Sequence, residues 1–184
     1  MPVEPPPDAA ASARAFLAEA RRLLAAAYLP RIERCLAVLP ETDLWWRANA
    51  ESNSVGQLLR HLAGNVRQWL VSGVGGAPDV RQRDAEFAAP GADDQPAAAE
   101  LLAHLRAALA EADDVLARLA PDTLLERRTI QGRAGVTVLE AVFHVVEHFS
   151  MHTGQIILLT KLRTGRDLAF YDFAAGAPRE TWKE

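Results

Sequence analysis

The chain has 184 residues, of which 49% are hydrophobic and 24% are charged. This length and composition are typical of one globular domain and exclude a chain without a hydrophobic core. With 20 Lys and Arg against 24 Asp and Glu, the net charge is −4, so no overall positive field attracts nucleic acid or an anionic membrane. We therefore expect neither of these partners.

The beginning of the chain differs from the rest in composition. Residues 1–11 are rich in proline and lack the basic and apolar regions of a secretion signal. We interpret them as a disordered leader and 12–184 as a single domain. No apolar run approaches the roughly 20 residues that cross a bilayer, and a single cysteine, Cys35, cannot form an internal disulfide. These features predict a cytoplasmic protein in which Cys35 is part of the core.

Two helices are predicted in the first half of the chain. Apolar residues recur at three- and four-residue steps over 12–39, which indicates a first helix. Pro30 lies inside it and removes a backbone donor, so we expect a kink near Ala27 or a short break there. Asn53 or Ser54 is a suitable N-cap for a second helix that ends at Gly73.

Two further helices complete the predicted fold. The stretch that follows Gly73 contains many Gly and Pro residues and is too long for a tight turn, which indicates a crossover. A third helix is predicted at about 97–119, then a loop over 121–136. Thr137 can cap a long fourth helix that runs to Gly165. Without strand-like alternation of useful length, the pattern predicts an all-α four-helix bundle with a long crossover between helices two and three.

Three of the five histidines lie four residues apart on the fourth helix: His144, His148 and His152. Each step of four residues advances about 6 Å along a helix and turns about 40° around it, so adjacent members can converge on one ion. His144 and His152 are about 12 Å apart along the axis, too far for one ion whose bonds to imidazole are about 2.0–2.1 Å. The helix therefore supplies one adjacent pair of ligands.

A third ligand has to come from another helix. His61, in the middle of the second helix, is flanked by strong apolar periodicity and is the natural candidate. His104 on the third helix could also point inward, and spacing alone does not exclude it. A lone core histidine usually just hydrogen-bonds its neighbours, but three imidazoles on one stripe would each lose hydration without a shared purpose. The spacing therefore predicts a metal site.

Three strings of the sequence carry a family resemblance: NSVGQLLRHLAGN at 53–65, RQRDAEF at 81–87 and HVVEHFSMHTGQI at 144–156. They resemble the DinB/YfiT-like superfamily, and the likeness extends over most of the chain after the leader. The closing 165–173 is similar to a branch of that superfamily without a settled substrate. The resemblance implies a four-helix bundle with a crossover, often dimeric, that holds one divalent ion. Three neutral imidazoles favour Zn²⁺, Ni²⁺ or a similar ion.

The resemblance also selects among the histidines. By motif, the metal ligands fall on His61, His148 and His152, which leaves His144 outside the immediate ligand set. Superfamily members with known activity include metal-dependent thiol S-transferases and a thiol-dependent isomerase, and others are classed as hydrolases. The resemblance thus implies chemistry that depends on a bound ion.

Two of the three strings bear on the substrate. Arg81, Arg83 and Glu86 lie in the crossover, where likeness to the family indicates contact with the pocket mouth or an interface, and both remain open. Met151 and Thr153 stand where many members have an aromatic residue or His and an Arg. This departure does not affect the ligands, but it leaves the substrate and the thiol undetermined.

Five side chains near the histidines are candidates for a supporting role. Glu140 lies one helical step before His144 and could orient its imidazole, and His144 could carry a proton. Asn65 lies one turn beyond the histidine of the second helix, and Gln155 lies three residues past the last histidine. Either could hold substrate or a metal-bound water, although polar residues also join helices. Trp69 could form the wall of an apolar pocket, although core packing is the simpler role.

The expected function is that of a divalent-metal-dependent enzyme of the DinB-like type, which transfers a low-molecular-weight thiol to a small electrophile through a metal-activated thiolate. One alternative is a metal-dependent hydrolase that uses metal-bound water, and another is a non-catalytic metal or small-molecule binding protein. His148 lacks the adjacent Glu of an HExxH motif, which argues against peptide hydrolysis. The expected partners are the electrophile, a thiol and a second copy of the chain in a homodimer.

Overall fold

The computed structural model describes residues 8–88, 91, 95–174 and 176–182. Most of the expected leader, residues 1–7, lies outside the described residues. Helix α1, Ala9–Arg22, begins before the predicted position at Ser12, because the Asp8 side chain accepts a hydrogen bond from the Ala11 amide and caps it. Residues 9–11 of the expected leader are therefore helical.

The kink expected before Pro30 takes the form of a wider helical turn. A π-helical stretch, Leu23–Tyr28, separates α1 from α2, Leu29–Val38, in whose first turn Pro30 lies. Proline cannot donate the backbone hydrogen bond of a regular helix, and a π-helical turn accommodates the missing bond. Within this stretch, the Ala26 carbonyl accepts a hydrogen bond from the Trp182 indole Nε1 at 3.3 Å. The irregular turn thus also anchors the end of the chain.

The second predicted helix has the expected start and a different end. The Ser54 hydroxyl accepts a hydrogen bond from the Gln57 amide, and the Gln57 side chain accepts one from the Ser54 amide, which is a capping box. Helix α3, Val55–Val66, continues as a π-helical stretch, Arg67–Val74. It therefore extends one residue past the predicted end at Gly73.

The crossover that follows contains a helix that sequence patterning did not predict. A short helix, α4 at Arg83–Phe87, lies within it. Helix α5, Ala98–Arg118, lies within the predicted range 97–119. A 3₁₀ turn, Pro121–Leu125, follows. The crossover thus folds back onto α3 as a structured segment, because α4 packs against α3.

The last long helix, α6 at Val138–Thr164, has both predicted ends. Thr137 caps its start, in a capping box with Glu140. Gly165 ends it with a φ of 63°, a left-handed conformation that glycine adopts without a steric penalty.

The core forms where α3 packs against α4, α5 and α6, and where α2 packs against α6. Five of the fully buried side chains in this core are Leu59, Leu62, Leu105, Val145 and Phe149. Cys35 is buried in the same core, as expected, and burial raises the pKa of its thiol to about 11. None of the described helices combines the length and hydrophobicity needed to cross a bilayer.

The fold is mostly helical, but the purely α prediction is wrong in two places. Strand β1, Arg127–Ile130, pairs antiparallel with β2, Arg133–Thr137, where a loop was predicted. The hairpin turn is formed by Gln131 and Gly132, whose φ values of 54° and 72° are those of a turn that matches the twist of the strands. A second pair, β3 at 171–172 and β4 at 179–180, follows α6.

The first hairpin packs against the end of the π-helical stretch after α3. Ile130 is buried there, and a Cβ at Gly73 would lie 2.7 Å from its side chain. Glycine at this position therefore permits the close approach of the hairpin. Since Thr137 ends β2 and caps α6, the hairpin is held directly beside the first turns of α6.

Candidate metal centre

Three imidazoles from two helices converge on one point. His61 Nε2 lies 3.0 Å from His148 Nε2, which in turn lies 3.1 Å from His152 Nε2. The ligand atoms of all three lie within 4.8 Å of one another. Two nitrogens bound to one ion at about 2.0–2.1 Å are about 2.9–3.4 Å apart in octahedral or tetrahedral geometry. These three histidines can therefore hold one metal ion.

The helices place the three rings by simple geometry. His148 and His152 are one helical step apart on α6 and present their rings to the same side. His61 projects from the buried face of α3, which packs against α6. Since His61 contacts the later histidines and Asn65 contacts the earlier His144, the two helices run antiparallel at the site.

Hydrogen bonds behind the rings define which nitrogens face the centre. His61 Nδ1 donates to Glu86 Oε2 at 2.9 Å, and His152 Nδ1 donates to Gln155 Oε1 at 2.6 Å. Both rings then direct an Nε2 lone pair at His148 Nε2, whose single hydrogen could serve only one of them. Without a cation, the Nε2 lone pair of at least one of the other two rings faces the His148 nitrogen at about 3 Å with no hydrogen between them, and this contact is repulsive. A metal ion between the rings relieves this repulsion, so the donor set fits an ion.

The carboxylate behind His61 is itself held in place by an arginine. Arg81 Nε and Nη2 donate to the two oxygens of Glu86 at 2.6 and 2.7 Å, and Arg81 Nη1 donates to Gln68 Oε1 at 2.8 Å. The side chains of Arg81 and Glu86 are only 4% and 9% exposed. Burial raises the pKa of Glu86, but hydrogen bonds from Arg81 and His61 outweigh burial and hold that pKa below its usual value. Glu86 is therefore an ionised partner that orients His61.

Glycine in α3 makes the approach of Glu86 possible. A Cβ at Gly64 would lie 1.9 Å from Glu86 Oε1, so any larger residue would displace the carboxylate. Arg81 and Glu86 are thus buried behind the histidines, and both also line a cavity on the crossover side of α3. Arg83 instead stacks on Phe87, whose ring lies 4.7 Å from that of His61.

The role of Glu86 was not predicted from the sequence. Metal-binding histidines commonly donate their second ring N–H to a carboxylate, so a search for such a partner had a physical basis. The acid lies 25 residues from His61, on a short helix inside the crossover. Helical spacing carries no information over that separation.

His144 lies beside the cluster without joining it. Its ring centroid is 5.3 Å from that of His148 and 4.1 Å from that of Trp69, and its Nε2 lies 3.3 Å from Asn65 Nδ2. Burial is the main reason why the pKa of His144 is below its usual value. His144 is therefore a neutral imidazole beside the candidate metal ligands, and Asn65 and Trp69 support it.

The expected pairing of Glu140 with His144 does not form. Glu140 Oε2 accepts hydrogen bonds from the Thr137 amide at 2.7 Å and the Thr137 hydroxyl at 2.8 Å. The N-terminus of α6 has unpaired backbone amides that favour a carboxylate, and Glu140 occupies that position. In the described part of the chain its carboxylate has no hydrogen bond to His144.

The structure also shows the positions of Gln155 and His104, two candidates whose roles the sequence left open. Gln155 accepts from His152 and thus orients a candidate ligand, where we had expected contact with substrate or water. His104 is exposed on α5 and does not belong to the cluster. The second ring nitrogen of His148, Nδ1, is buried and has no hydrogen-bond partner within the described residues.

The environment of His148 favours its neutral, ligand-competent form. Burial, together with the positive charge that the other histidines would carry, lowers the pKa of His148 to about 3. Burial also lowers the pKa of His152. At neutral pH the α6 pair is therefore uncharged and able to donate lone pairs to a cation.

Comparison with known proteins identifies a family without an assigned activity. The family model described as "Protein of unknown function (DUF1572)" matches residues 11–176. No curated protein matches the chain at a significant level. The match includes all three histidines and Glu86.

Glu86 contacts a candidate metal ligand and Glu140 does not, so the loss of each charge should affect metal binding differently. Replacing Glu86 with Gln should weaken zinc affinity by about 10–100-fold, because His61 loses its charged hydrogen-bond partner. The matched change Glu140→Gln should leave zinc affinity unaltered and lower the unfolding free energy by no more than about 1 kcal/mol, because Gln can keep the capping-box hydrogen bond and only the negative charge at the N-terminus of α6 is lost. Competition titration against a chromogenic chelator measures the affinity, and urea unfolding measures the stability. Equal zinc affinity in the two variants would contradict the assigned role of Glu86.

Proposed function

The chain belongs to the DUF1572 family of proteins of unknown function, and we propose that it is a divalent-metal-dependent enzyme of the DinB-like type that transfers a low-molecular-weight thiol to a small electrophile. The convergence of three imidazole nitrogens on one point carries this proposal. The resemblance of the sequence to thiol-using members of the DinB/YfiT-like superfamily selects the reaction. Both lines of support concern the same three residues, His61, His148 and His152.

The proposal includes the architecture of that superfamily. We propose that the four long helical segments, α1 with α2, α3 with its π-helical extension, α5 and α6, form a four-helix bundle. The packing of α3 against α5 and α6, of α2 against α6 and of α1 against α5 supports it. The crossover with α4 then joins the second and third members of the bundle.

Zn²⁺ or Ni²⁺ suits a site made only of imidazoles. Three protein ligands leave at least one coordination position open, as in catalytic zinc sites. When bound there, a divalent ion lowers the pKa of a coordinated thiol or water and so supplies a nucleophile at neutral pH. No carboxylate belongs to the cluster within the described residues, so the ion would keep its full charge and favour an anionic ligand.

The side chains around the cluster have separate tasks in the proposed reaction. Glu86 and Gln155 orient two of the candidate ligands. His144 is neutral and lies next to His148, so it is placed to accept the proton of the incoming thiol. The sulfur then forms a bond to the electrophilic carbon while the bond to a leaving group such as chloride breaks, and chloride departs with the bonding electron pair.

A first prediction concerns metal content. His61→Ala, His148→Ala and His152→Ala should each abolish stoichiometric metal, because each removes one of three converging ligands. His104→Ala should leave it unchanged, since His104 is exposed outside the cluster. Elemental analysis of protein purified without an affinity tag measures the content. Full retention of metal by the His148→Ala protein would disprove the site.

A second prediction concerns the reaction. The metal-loaded protein should accelerate the addition of a small thiol to a chlorinated aromatic acceptor, and removal of the ion or the His148→Ala change should abolish the acceleration. Ester hydrolysis without thiol is assayed in parallel. Metal-dependent ester cleavage that needs no thiol would replace this proposal with a hydrolase, and no turnover in either assay would favour a binding protein.

We also propose that two copies of the chain associate through the second half of α6. Met151, Leu158 and Leu162 share an exposed face of this helix, at 47%, 58% and 62% exposure, and a Cβ at Gly154 meets no atom within 4 Å. Small and apolar residues at helical spacing permit close approach of a second helix.

Light scattering tests this association. Leu158→Glu should reduce the mass in solution from about two chains to one, because a charge would then be buried in the interface. Leu125→Glu is the matched control, since Leu125 is equally apolar, more exposed and distant in sequence from α6's second half. A wild-type mass of one chain would contradict the proposal.

A further inference from the structure

A cleft borders the candidate metal centre on the side of His144. It has a volume of about 420 Å³ and lies between β2 and the first half of α6. Trp69, Phe143 and His144 contribute aromatic walls. This volume is in the range of sites for small molecules, and apolar walls with a few polar groups are typical of them. Since the His144 ring lies 5.3 Å from that of His148, a ligand in the cleft would be separated from the candidate metal ligands by one imidazole.

One wall of the cleft carries an available positive charge. Arg133 of β2 lines the cleft, and among the described residues its side chain has no hydrogen bond or ion pair. The other arginines of the same hairpin are engaged, because Arg127 donates to the Gly135 carbonyl at 2.9 Å and Arg128 pairs with Glu126 at 2.6 Å. The charge of Arg133 also acts on the Glu140 carboxylate, which lines the same cleft, but Arg133 is the guanidinium of this hairpin whose N–H groups have no partner among the described residues and are available to a ligand anion.

The α6 side of the cleft carries an available negative charge. Glu147 of α6 lines the same cleft, is exposed and forms no hydrogen bond or ion pair within the described part of the chain. Glu140 also lines the cleft, but its carboxylate is committed to the cap of α6. The cleft therefore presents one free cation and one free anion, on two different elements.

Both charges act on the imidazole between the cleft and the metal centre. Apart from burial, Glu147 raises and Arg133 lowers the pKa of His144. A ligand that carried only one charge would satisfy one wall and bring a like charge near the other. A ligand with a carboxylate and an ammonium group complements both walls.

We propose that the cleft binds the zwitterionic head group of an amino-acid thiol, with its carboxylate on Arg133 and its ammonium group on Glu147. This inference rests on the proposed thiol transfer and specifies the class of thiol. The head group lies in the cleft, and the sulfur extends past His144 toward the three converging nitrogens. Arg133 and Glu147 are then residues that determine specificity and take no part in the chemical step.

Thiol binding to cobalt-loaded protein tests this inference without turnover, because a thiolate bound to Co²⁺ gives a strong charge-transfer absorption. The probes are L-cysteine and L-homocysteine, which have both charges, N-acetyl-L-cysteine, which lacks the ammonium group, and cysteamine, which lacks the carboxylate. Of L-cysteine and L-homocysteine, we expect the one that binds more tightly to have a Kd at least about 10-fold lower than the Kd of N-acetyl-L-cysteine or of cysteamine.

Three variants test which residues cause the preference for zwitterionic thiols. Arg133→Gln should abolish the preference over cysteamine, and Glu147→Gln should abolish the preference over N-acetyl-L-cysteine. Arg128→Gln on the same hairpin is the matched control and should retain both preferences, because Arg128 pairs with Glu126. The cobalt spectrum of each variant without thiol checks that its metal centre is intact, which matters for Glu147 because it adjoins His148.

The outcomes separate this inference from the proposed function. Equal affinity for all four thiols in the wild-type protein would overturn the zwitterion site and leave thiol transfer standing. Retention of the full preference in Arg133→Gln or Glu147→Gln would overturn the role of that residue. Absence of the absorption with every thiol, in protein that holds cobalt, would overturn both proposals.

Discussion

The buried ion pair between Arg81 and Glu86 is the interaction on which the geometry of the candidate site depends. An ion pair with side chains under 10% exposed loses much hydration, and such a pair is tolerated only when its hydrogen bonds are nearly complete. Here the guanidinium binds both carboxylate oxygens and Gln68, and the carboxylate also accepts from His61. The same set of bonds therefore holds the crossover against α3 and orients a candidate metal ligand.

A second constraint is that two segments pack closely against the backbone of α3 and its π-helical extension. Glycine at two positions leaves the space for them. Gly64 leaves the space that Glu86 occupies, and Gly73 leaves the space that Ile130 occupies. The first contact brings the crossover to one side of α3, and the second brings the β1–β2 hairpin to its π-helical extension. These two attachments place different groups at the two sides of the candidate metal centre: a buried carboxylate behind His61, and an open cleft beside His144.

The polar groups of the site fall into two kinds that differ in whether they already have a hydrogen-bond partner. Those that orient the histidines, Glu86 and Gln155, have hydrogen-bond partners already. Those that line the cleft, Arg133 and Glu147, are exposed and form no hydrogen bond or ion pair among the described residues. Such a division is expected of a site that holds one component permanently and exchanges another, because preorganised bonds suit the former and accessible charges suit the latter.

The sequence by itself determined the features that depend on neighbours along one helix. A cap at Asn53 or Ser54, the cap at Thr137, the glycine stop at Gly165 and the stripe of histidines on α6 all follow from helical geometry over four residues or fewer. The structure contains each of them, and it selects Ser54 as the cap of α3. The choice of His148 and His152 over His144 needed the family motif, because spacing treats both pairs alike.

Only the tertiary structure decided what lies behind and beside the histidines. Glu86 reaches His61 across 25 residues of chain, and Glu140, although one step from His144, is drawn to the amides at the start of α6. The β1–β2 hairpin was missed because its turn residues, Gln131 and Gly132, lack the usual Asn-Gly signal and its strands are short. Local spacing determines which face a side chain occupies, whereas its partner depends on which other segment packs against that face.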